Sequence, residues 1–277
     1  MSALREDVVV IEAGHSDRHY WLDLLAYREL LYFLARRDVA VRYKQAFLGI
    51  AWAVIRPLFT MVIFTFIFGK LAKLPADGAP YSLLVFTGMV PWFLFAVALA
   101  DTSSSLVTNA NLLTKVYFPR LLVPMSAVAT ALVDLIIGMV LLLLYMAWLG
   151  YPPTFRALAL PVFILLALSA ALGLGLWFAA LNVKYRDFQF VVPFVLQIGL
   201  YASPIGFNST LIPEAWRLIY SLNPMVSVID GFRWAFLGEP FRVRADGLMV
   251  SVATTVVVLL GGLQYFRRTE RSLADVI

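Results

Sequence analysis

Six stretches of the chain stay apolar for about the thickness of a bilayer, and polar residues fall almost entirely between them. They cover residues 47–69, 82–101, 121–150, 158–181, 188–207 and 248–266, and the deep charges within them are Arg56 in the first and Asp134 in the third. A helix needs roughly 20 apolar residues to cross about 30 Å of hydrocarbon. In lipid it satisfies its own backbone hydrogen bonds, so each run is predicted to be helical throughout. A transmembrane β-barrel would instead show short segments alternating apolar and polar residues, and these are absent. The pattern predicts an all-α integral membrane protein: a tail over 1–46, then one transmembrane domain of six spanning helices over 47–277.

Three connecting segments carry their own patterns. The tail stretch "WLDLLAYRELLYFLARRDVAVRYKQ" mixes Leu24, Leu25, Leu31, Phe33 and Leu34 with Asp23, Arg28, Glu29, Arg36 and Arg37. This suits an amphipathic helix lying in the membrane interface, or more simply a charged flank that stops transfer. Between the second and third spans lies "NANLLTKVYFPRLLVP", residues 109–124. It has a polar start, an amphipathic middle, a lysine, an arginine and two prolines. The segment 208–247 reads as two short amphipathic helices broken at Asn223-Pro224.

Composition agrees with the pattern. Of 277 residues, 62% are hydrophobic and 14% charged, and the mean hydropathy is +0.85. Soluble domains carry about 45–50% apolar and about 25% charged residues. Charge then orients the spans. Arg5, Arg18, Arg28, Arg36, Arg37, Arg42 and Lys44 precede the first span, Lys115 and Arg120 follow the second, Lys184 and Arg186 follow the fourth, and Arg267, Arg268 and Arg271 follow the sixth. The other side holds Lys70, Lys73 and Arg156, then Arg217, Arg233, Arg242 and Arg244 mixed with Glu214, Asp230, Glu239 and Asp246. The excess predicts both termini, and the 109–124 segment, in the cytosol. Residues 1–20 lack the apolar core of a cleavable signal peptide. The basic residues are scattered over several loops, which argues against a nucleic-acid surface.

The chemistry available to the chain is narrow. It has no cysteine, and both histidines, His15 and His19, lie in the tail. Neither disulfides nor a metal site are therefore expected. The one Gly-Lys pair, Gly69-Lys70, is followed by leucine, so there is no P-loop for ATP. No nucleophile–base or paired-carboxylate arrangement stands out, which disfavours an enzyme. On the first span Trp52, Phe59 and Phe66 recur every seven residues on one stripe, and Arg56 lies about 40° from Trp52. An arginine inside the membrane avoids lipid, so this face is expected to meet protein or a watery path. Asp134 is its expected partner in an intramembrane ion pair. Ala167, Ala171, Gly175 and Ala179 form a small-residue ridge suited to close helix packing.

Several motifs together resemble a known family. "RYKQAFLGIAWAVIRPLFTMVIFTFIFG" from Arg42, "GMVPWFLF" from Gly88, "NLLTKVYFPR" from Asn111, "ALNVKYRDF" from Ala180, "SPIGF" from Ser203 and "LNPMVSVIDGFRWAFLG" from Leu222 follow in order over nearly the whole chain. They resemble the ABC-2 (type V) polysaccharide exporter permeases, which export O-antigen, teichoic acid and related lipid-linked glycans. Arg56 departs from the pattern, since many relatives have glutamine before that proline.

The resemblance implies a half-transporter in the bacterial cytoplasmic membrane. Two copies would form a homodimer, served by two copies of a separate ATPase that binds ATP and Mg2+; this chain would hold no cofactor and no metal. Residues 109–118 would be the coupling helix on the ATPase, with Asn111, Leu112, Lys115, Tyr117, Phe118 and Arg120 as contacts. Arg37, Arg42 and Lys44 would receive the lipid diphosphate, and Trp52, Phe59 and Phe66 would stack on sugar rings in the glycan channel. Residues 208–240 would hold re-entrant extracellular gate helices, with Trp216, Tyr220, Phe232 and Trp234 at the gate or in the interface belt. Rival readings are an ABC-2 exporter of capsule, lipid or drugs, an ATP-independent carrier, or a membrane scaffold. Secondary carriers tend to show internal repeats and intramembrane carboxylates; here only Asp134 lies deep, and no repeat is clear.

Overall fold

The computed structural model describes residues 17–44, 49–76, 78–185, 187–238, 241 and 243–270. His15, Arg186 and positions 45–48, where the sequence places the start of the first span, lie outside the described residues, as does the side chain of His19. Among the described residues all regular structure is helical. The tail forms two helices, α1 (Asp17–Ala26) and α2 (Arg28–Lys44), rather than one. They are followed by α3 (Gly49–Phe64), which continues into a π-helical turn, Thr65–Leu71, and by α4 (Tyr81–Thr108). A four-residue helix, α5 (Ala110–Leu113), precedes α6 (Leu122–Trp148). Then come α7 (Leu160–Lys184), α8 (Phe188–Ala202), α9 (Glu214–Tyr220), α10 (Pro224–Leu237) and α11 (Ala245–Glu270).

Five helices are long and apolar enough to cross a membrane: Ala51–Leu71, Tyr81–Thr108, Leu122–Trp148, Phe155–Lys184 and Ala245–Glu270. The remaining expected span, 188–207, is shorter. Helix α8 has 15 residues, about 22 Å at 1.5 Å per residue, and stops at Ala202. Ser203 takes an extended conformation (φ −92°, ψ 152°), as the residue before a proline prefers. The buried segment 203–207 then continues without regular structure.

Helix α4 is the centre of the bundle. Nearly nine-tenths of its apolar window (89%) is buried, against 17–33% in the other four spans. It packs against α6, α7, α10, α3 and α8. In its polar last turns Ser103, Ser104 and Ser105 satisfy their hydroxyls on carbonyls three or four residues back. The small-residue ridge of α7 is buried as expected, and Gly175 lies against Thr102 of α4.

Glycines bring α7 and α11 together more closely than the ridge alone suggests. A Cβ on Gly262 would sit 2.4 Å from the Gly173 carbonyl oxygen, and one on Gly173 would sit 2.8 Å from the Leu259 Cα. Backbone cannot yield as a flexible side chain can, so the helices would have to separate. Packing, rather than water exclusion, holds helices together in lipid. We expect Gly262→Ala to lower stability by about 3 kcal/mol, read as a reduced thermal midpoint in detergent. An unchanged midpoint would show that the helices separate freely.

Candidate functional site

The bundle has two ends. One carries α9 and α10; the other carries α1, α2 and α5.

At the α9/α10 end an arginine satisfies irregular backbone. Buried irregular backbone needs protein or water to supply its hydrogen bonds. Segment 203–207 meets this condition through Arg233 on α10, which is wholly buried. Its guanidinium donates to the carbonyls of Ile205 (2.9 Å), Phe207 (2.8 Å) and Leu84 (3.3 Å). The Tyr81 hydroxyl donates to the carbonyl between them, Gly206. The fit is close: a Cβ on Gly88 would lie 3.1 Å from the Arg233 Nη2. Helix α10 starts where Asn223 caps it, accepting from the Met225 N–H at 3.0 Å, with Pro224 at its first position. The break between α9 and α10 thus falls at Asn223-Pro224, as the sequence predicts.

The four gate candidates do not share a face. Phe232 is fully buried in the core, so it lines no mouth in this conformation. Trp234 is half-buried beneath the Arg156 guanidinium, 5.5 Å from the ring centroid. Trp216 is exposed. Tyr220 lines a pocket of about 230 Å³ with Asp230, Ser209 and Arg217.

Near the opposite end, α2 is clipped to the bundle by charge. Arg42 reaches Asp101 of α4 with Nη1 (2.7 Å) and Asp134 of α6 with Nη2 (3.1 Å). The Tyr43 hydroxyl donates to Asp134, and Thr130 donates to Asp101 at 2.5 Å. One turn earlier, Asp38 accepts from Ser126 and pairs with Arg37, which also donates to Asn109 at 2.5 Å. Burial, reinforced by the Asp134 carboxylate, pushes the Tyr43 hydroxyl well above its ordinary pKa, so it stays a donor.

This arrangement corrects two expectations. Asp134 pairs with Arg42 and not with Arg56. Arg56 instead lies over the Phe93 ring, 5.0 Å from its centroid. Both line one pocket of about 140 Å³ with Arg42, Trp52 and Phe93, but the α2 terminus reaches the carboxylate first. Arg42 in turn has both sides of its fork occupied by carboxylates, so it is not a ready anion receptor. Lys44 is exposed. Trp52 and Phe59 of α3 and Phe66 of the π-helical turn all face outward, between half and two-thirds exposed.

The connection after α4 forms a tight elbow. The predicted helix over 109–118 shrinks to Ala110–Leu113 and is followed by turns. Pro119 pushes Phe118 out of helical conformation, and Thr114 and Val116 are weak helix formers. Asn109 occupies the cap position, yet its side chain donates back to the Ser105 carbonyl (2.8 Å) instead of capping. The aromatic pair divides. Phe118 is buried with Leu113 in a cluster that also holds Leu34, Leu106, Leu122, Leu176 and Phe266. Tyr117 points outward, 73% exposed, beside exposed Asn111, Lys115 and Val116; Leu112 is half-buried. Arg120 turns inward and bonds Glu270 at the end of α11: its backbone N–H donates to Oε1 (2.9 Å) and its Nη1 to the Glu270 carbonyl (2.9 Å). Among the six expected contact residues, then, Phe118 and Arg120 hold the elbow while Asn111, Lys115 and Tyr117 are displayed by it.

Comparison with known proteins matches this architecture. The profile of the ABC-2 type transporter family matches residues 29–237, from α2 to the end of α10. The O-antigen export system permease protein RfbA of Myxococcus xanthus is 31% identical over 92% of this chain and 98% of its own length. RfbA of Klebsiella pneumoniae is 25% identical over 90% of this chain and 95% of its own. The polysialic acid transport protein KpsM of Escherichia coli is 25% identical over 86% and 92%. With the family match covering most of the chain and the relatives spanning nearly its full length, this membrane-spanning, all-helical protein belongs to the ABC-2 type transporter family.

Proposed function

We propose that the chain is the permease subunit of an ATP-driven exporter of a lipid-linked, O-antigen-like polysaccharide, working from the cytosol across the bacterial cytoplasmic membrane. The observation that carries this reading is the elbow. Leu113 and Phe118 root it in a cluster shared by α2, α4, α6, α7 and α11, while Tyr117 and its neighbours face outward. A push on such an element reaches most of the bundle. That is what a chain without a nucleotide-binding loop needs in order to use ATP hydrolysed elsewhere.

In this reading two copies of the chain assemble with two copies of a separate ATPase, which holds the ATP and Mg2+. Both termini and the elbow lie in the cytosol, as the lysine and arginine distribution favours. Helix α8 with segment 203–207 completes a sixth span, and α9 and α10 close the outer mouth. The lipid diphosphate is drawn to the α2 end by exposed Lys44, since Arg37, like Arg42, already has its guanidinium on a carboxylate. The glycan then passes the aromatic stripe of Trp52, Phe59 and Phe66, whose exposed rings suit the C–H faces of sugars. The likeness to the polysialic acid transport protein KpsM favours a polysaccharide of that kind as the second reading.

Tyr117 and Phe118 separate docking from folding. Exposed aromatics dominate interfaces. Tyr117→Ala is expected to cut the amount of ATPase that copurifies by about tenfold, with the permease's own thermal midpoint unchanged. Phe118→Ala is expected to lower that midpoint, since emptying a buried phenylalanine site costs about 3–5 kcal/mol. Full copurification with Tyr117→Ala would remove the elbow as the docking element.

A further inference from the structure

Three groups meet beside the elbow that the function above does not use. Glu270, in the last turn of α11, receives the backbone N–H of Arg120 on Oε1 at 2.9 Å and the hydroxyl of Tyr20 from α1 on Oε2 at 3.0 Å. Arg120 returns its guanidinium to the Glu270 carbonyl at 2.9 Å. Arg267, one turn back on α11, lies over the Tyr20 ring at 4.7 Å and the Trp21 ring at 5.7 Å. One carboxylate therefore joins the first described helix, the last one and the residue that ends the elbow. These elements are 100 to 250 residues apart in sequence. Phe266, one turn before Glu270 on α11, belongs to the same buried cluster as Phe118 and Leu113.

The chemistry suits a fixed joint. Arg120 contributes a main-chain donor as well as a side-chain donor, so the joint fixes the path of the elbow backbone itself. Pro119 stiffens the chain just before it. Burial, with the adjacent carboxylate, pushes the Tyr20 hydroxyl well above its ordinary pKa and keeps it a donor. Backbone hydrogen bonds of its own hold the elbow from Leu112 to Val116; the stretch after them has no regular structure and draws its rigidity from such anchors.

We propose that Glu270 is a positioning residue that locks the elbow to α1 and α11, so that a displacement of the elbow moves both termini-bearing helices instead of being absorbed in the loop. This rests on the reading of the elbow as the face that meets the ATPase. It predicts a loss of coupling rather than a loss of folding. The two differ in one ratio: polysaccharide exported per ATP hydrolysed.

The test uses the full chain co-expressed with its ATPase in native membranes. Wild type is compared with Glu270→Ala, Glu270→Gln and Tyr117→Ala for permease level, copurifying ATPase, ATP hydrolysis and export. Glu270→Ala is expected to keep the ATPase bound and hydrolysing while the export-to-hydrolysis ratio falls about tenfold. Glu270→Gln keeps an acceptor for the Arg120 N–H and is expected to recover most of the ratio. If export and hydrolysis fall together, in proportion to permease level, Glu270 is only structural and the proposal is overturned. If Glu270→Ala does not accumulate, Tyr20→Phe removes one hydrogen bond and little packing; an unchanged ratio in that variant also overturns it. Failure of the elbow reading itself shows separately, as Tyr117→Ala with ATPase binding and ratio both intact.

Discussion

Replacing Arg233 with alanine is expected to reduce the folded permease at least tenfold. The side chain is the largest of those fully buried, and it supplies donors to the carbonyls of Ile205 and Phe207 in a segment that has no helical partners. A buried acceptor left without its donor costs about 1–3 kcal/mol. Two such acceptors and the cavity left by the side chain put the total near 5 kcal/mol. Arg233→Lys is expected to fall between, because an ammonium is a single point donor group and cannot span the fork-shaped site. Membrane level and thermal midpoint in mild detergent check this. Wild-type values for Arg233→Ala would mean that segment 203–207 holds its shape without the arginine.

The second large effect is expected at Arg42. Arg42→Ala leaves Asp101 and Asp134 as two carboxylates without their shared cation, and releases α2 from both α4 and α6. Removing one partner of a buried pair costs about 3–5 kcal/mol; partial exposure of this cluster places it near or below the lower figure. Export is expected to fall at least tenfold. The triple change Arg42→Ala, Asp101→Asn, Asp134→Asn is expected to restore much of the stability, because it removes the stranded charges along with the bridge. Arg56→Gln is expected to leave stability nearly unchanged, because Arg56 meets a ring and not Asp134. A larger stability loss from Arg56→Gln than from Arg42→Ala would reverse this assignment.

The spans were legible because bilayer thickness imposes their length. Residues 82–101 and 248–266 were found by their apolar runs, yet α4 extends to Thr108 and α11 to Glu270. Helices continue into polar sequence where side chains such as Ser105 satisfy their hydroxyls within the helix, and hydropathy does not register that. The expected span over 188–207 ended early at Ala202, a break that Pro204 and Gly206 signal once "SPIGF" is read for backbone rather than for hydropathy. The expected coupling helix shortened for a similar reason, since the effect of Pro119 reaches back to Phe118.

Partners across helices were harder to read. A helical wheel gives the face on which Asp134 lies but not which arginine arrives there, and the α2 terminus outcompeted α3. Arg233 was counted among the charges of an outer loop. Its neighbours Ile229, Phe232 and Phe236 put it on the apolar, buried side of α10, and an arginine at such a position signals a buried set of acceptors. Glu270 lay beyond the last apolar run, and its partners, Tyr20 and Arg120, are 250 and 150 residues away in sequence.

We propose that this chain moves a lipid-linked polysaccharide with energy from a partner ATPase. The most direct measurement uses sealed vesicles holding the purified chain, with the cytosolic face outward, lipid-linked polysaccharide in the outer leaflet and the purified ATPase added outside. Polysaccharide is expected to become inaccessible to an external glycosidase only when chain, ATPase, ATP and Mg2+ are all present, and Tyr117→Ala is expected to suppress the signal. Equal protection without ATP or without the ATPase would contradict it.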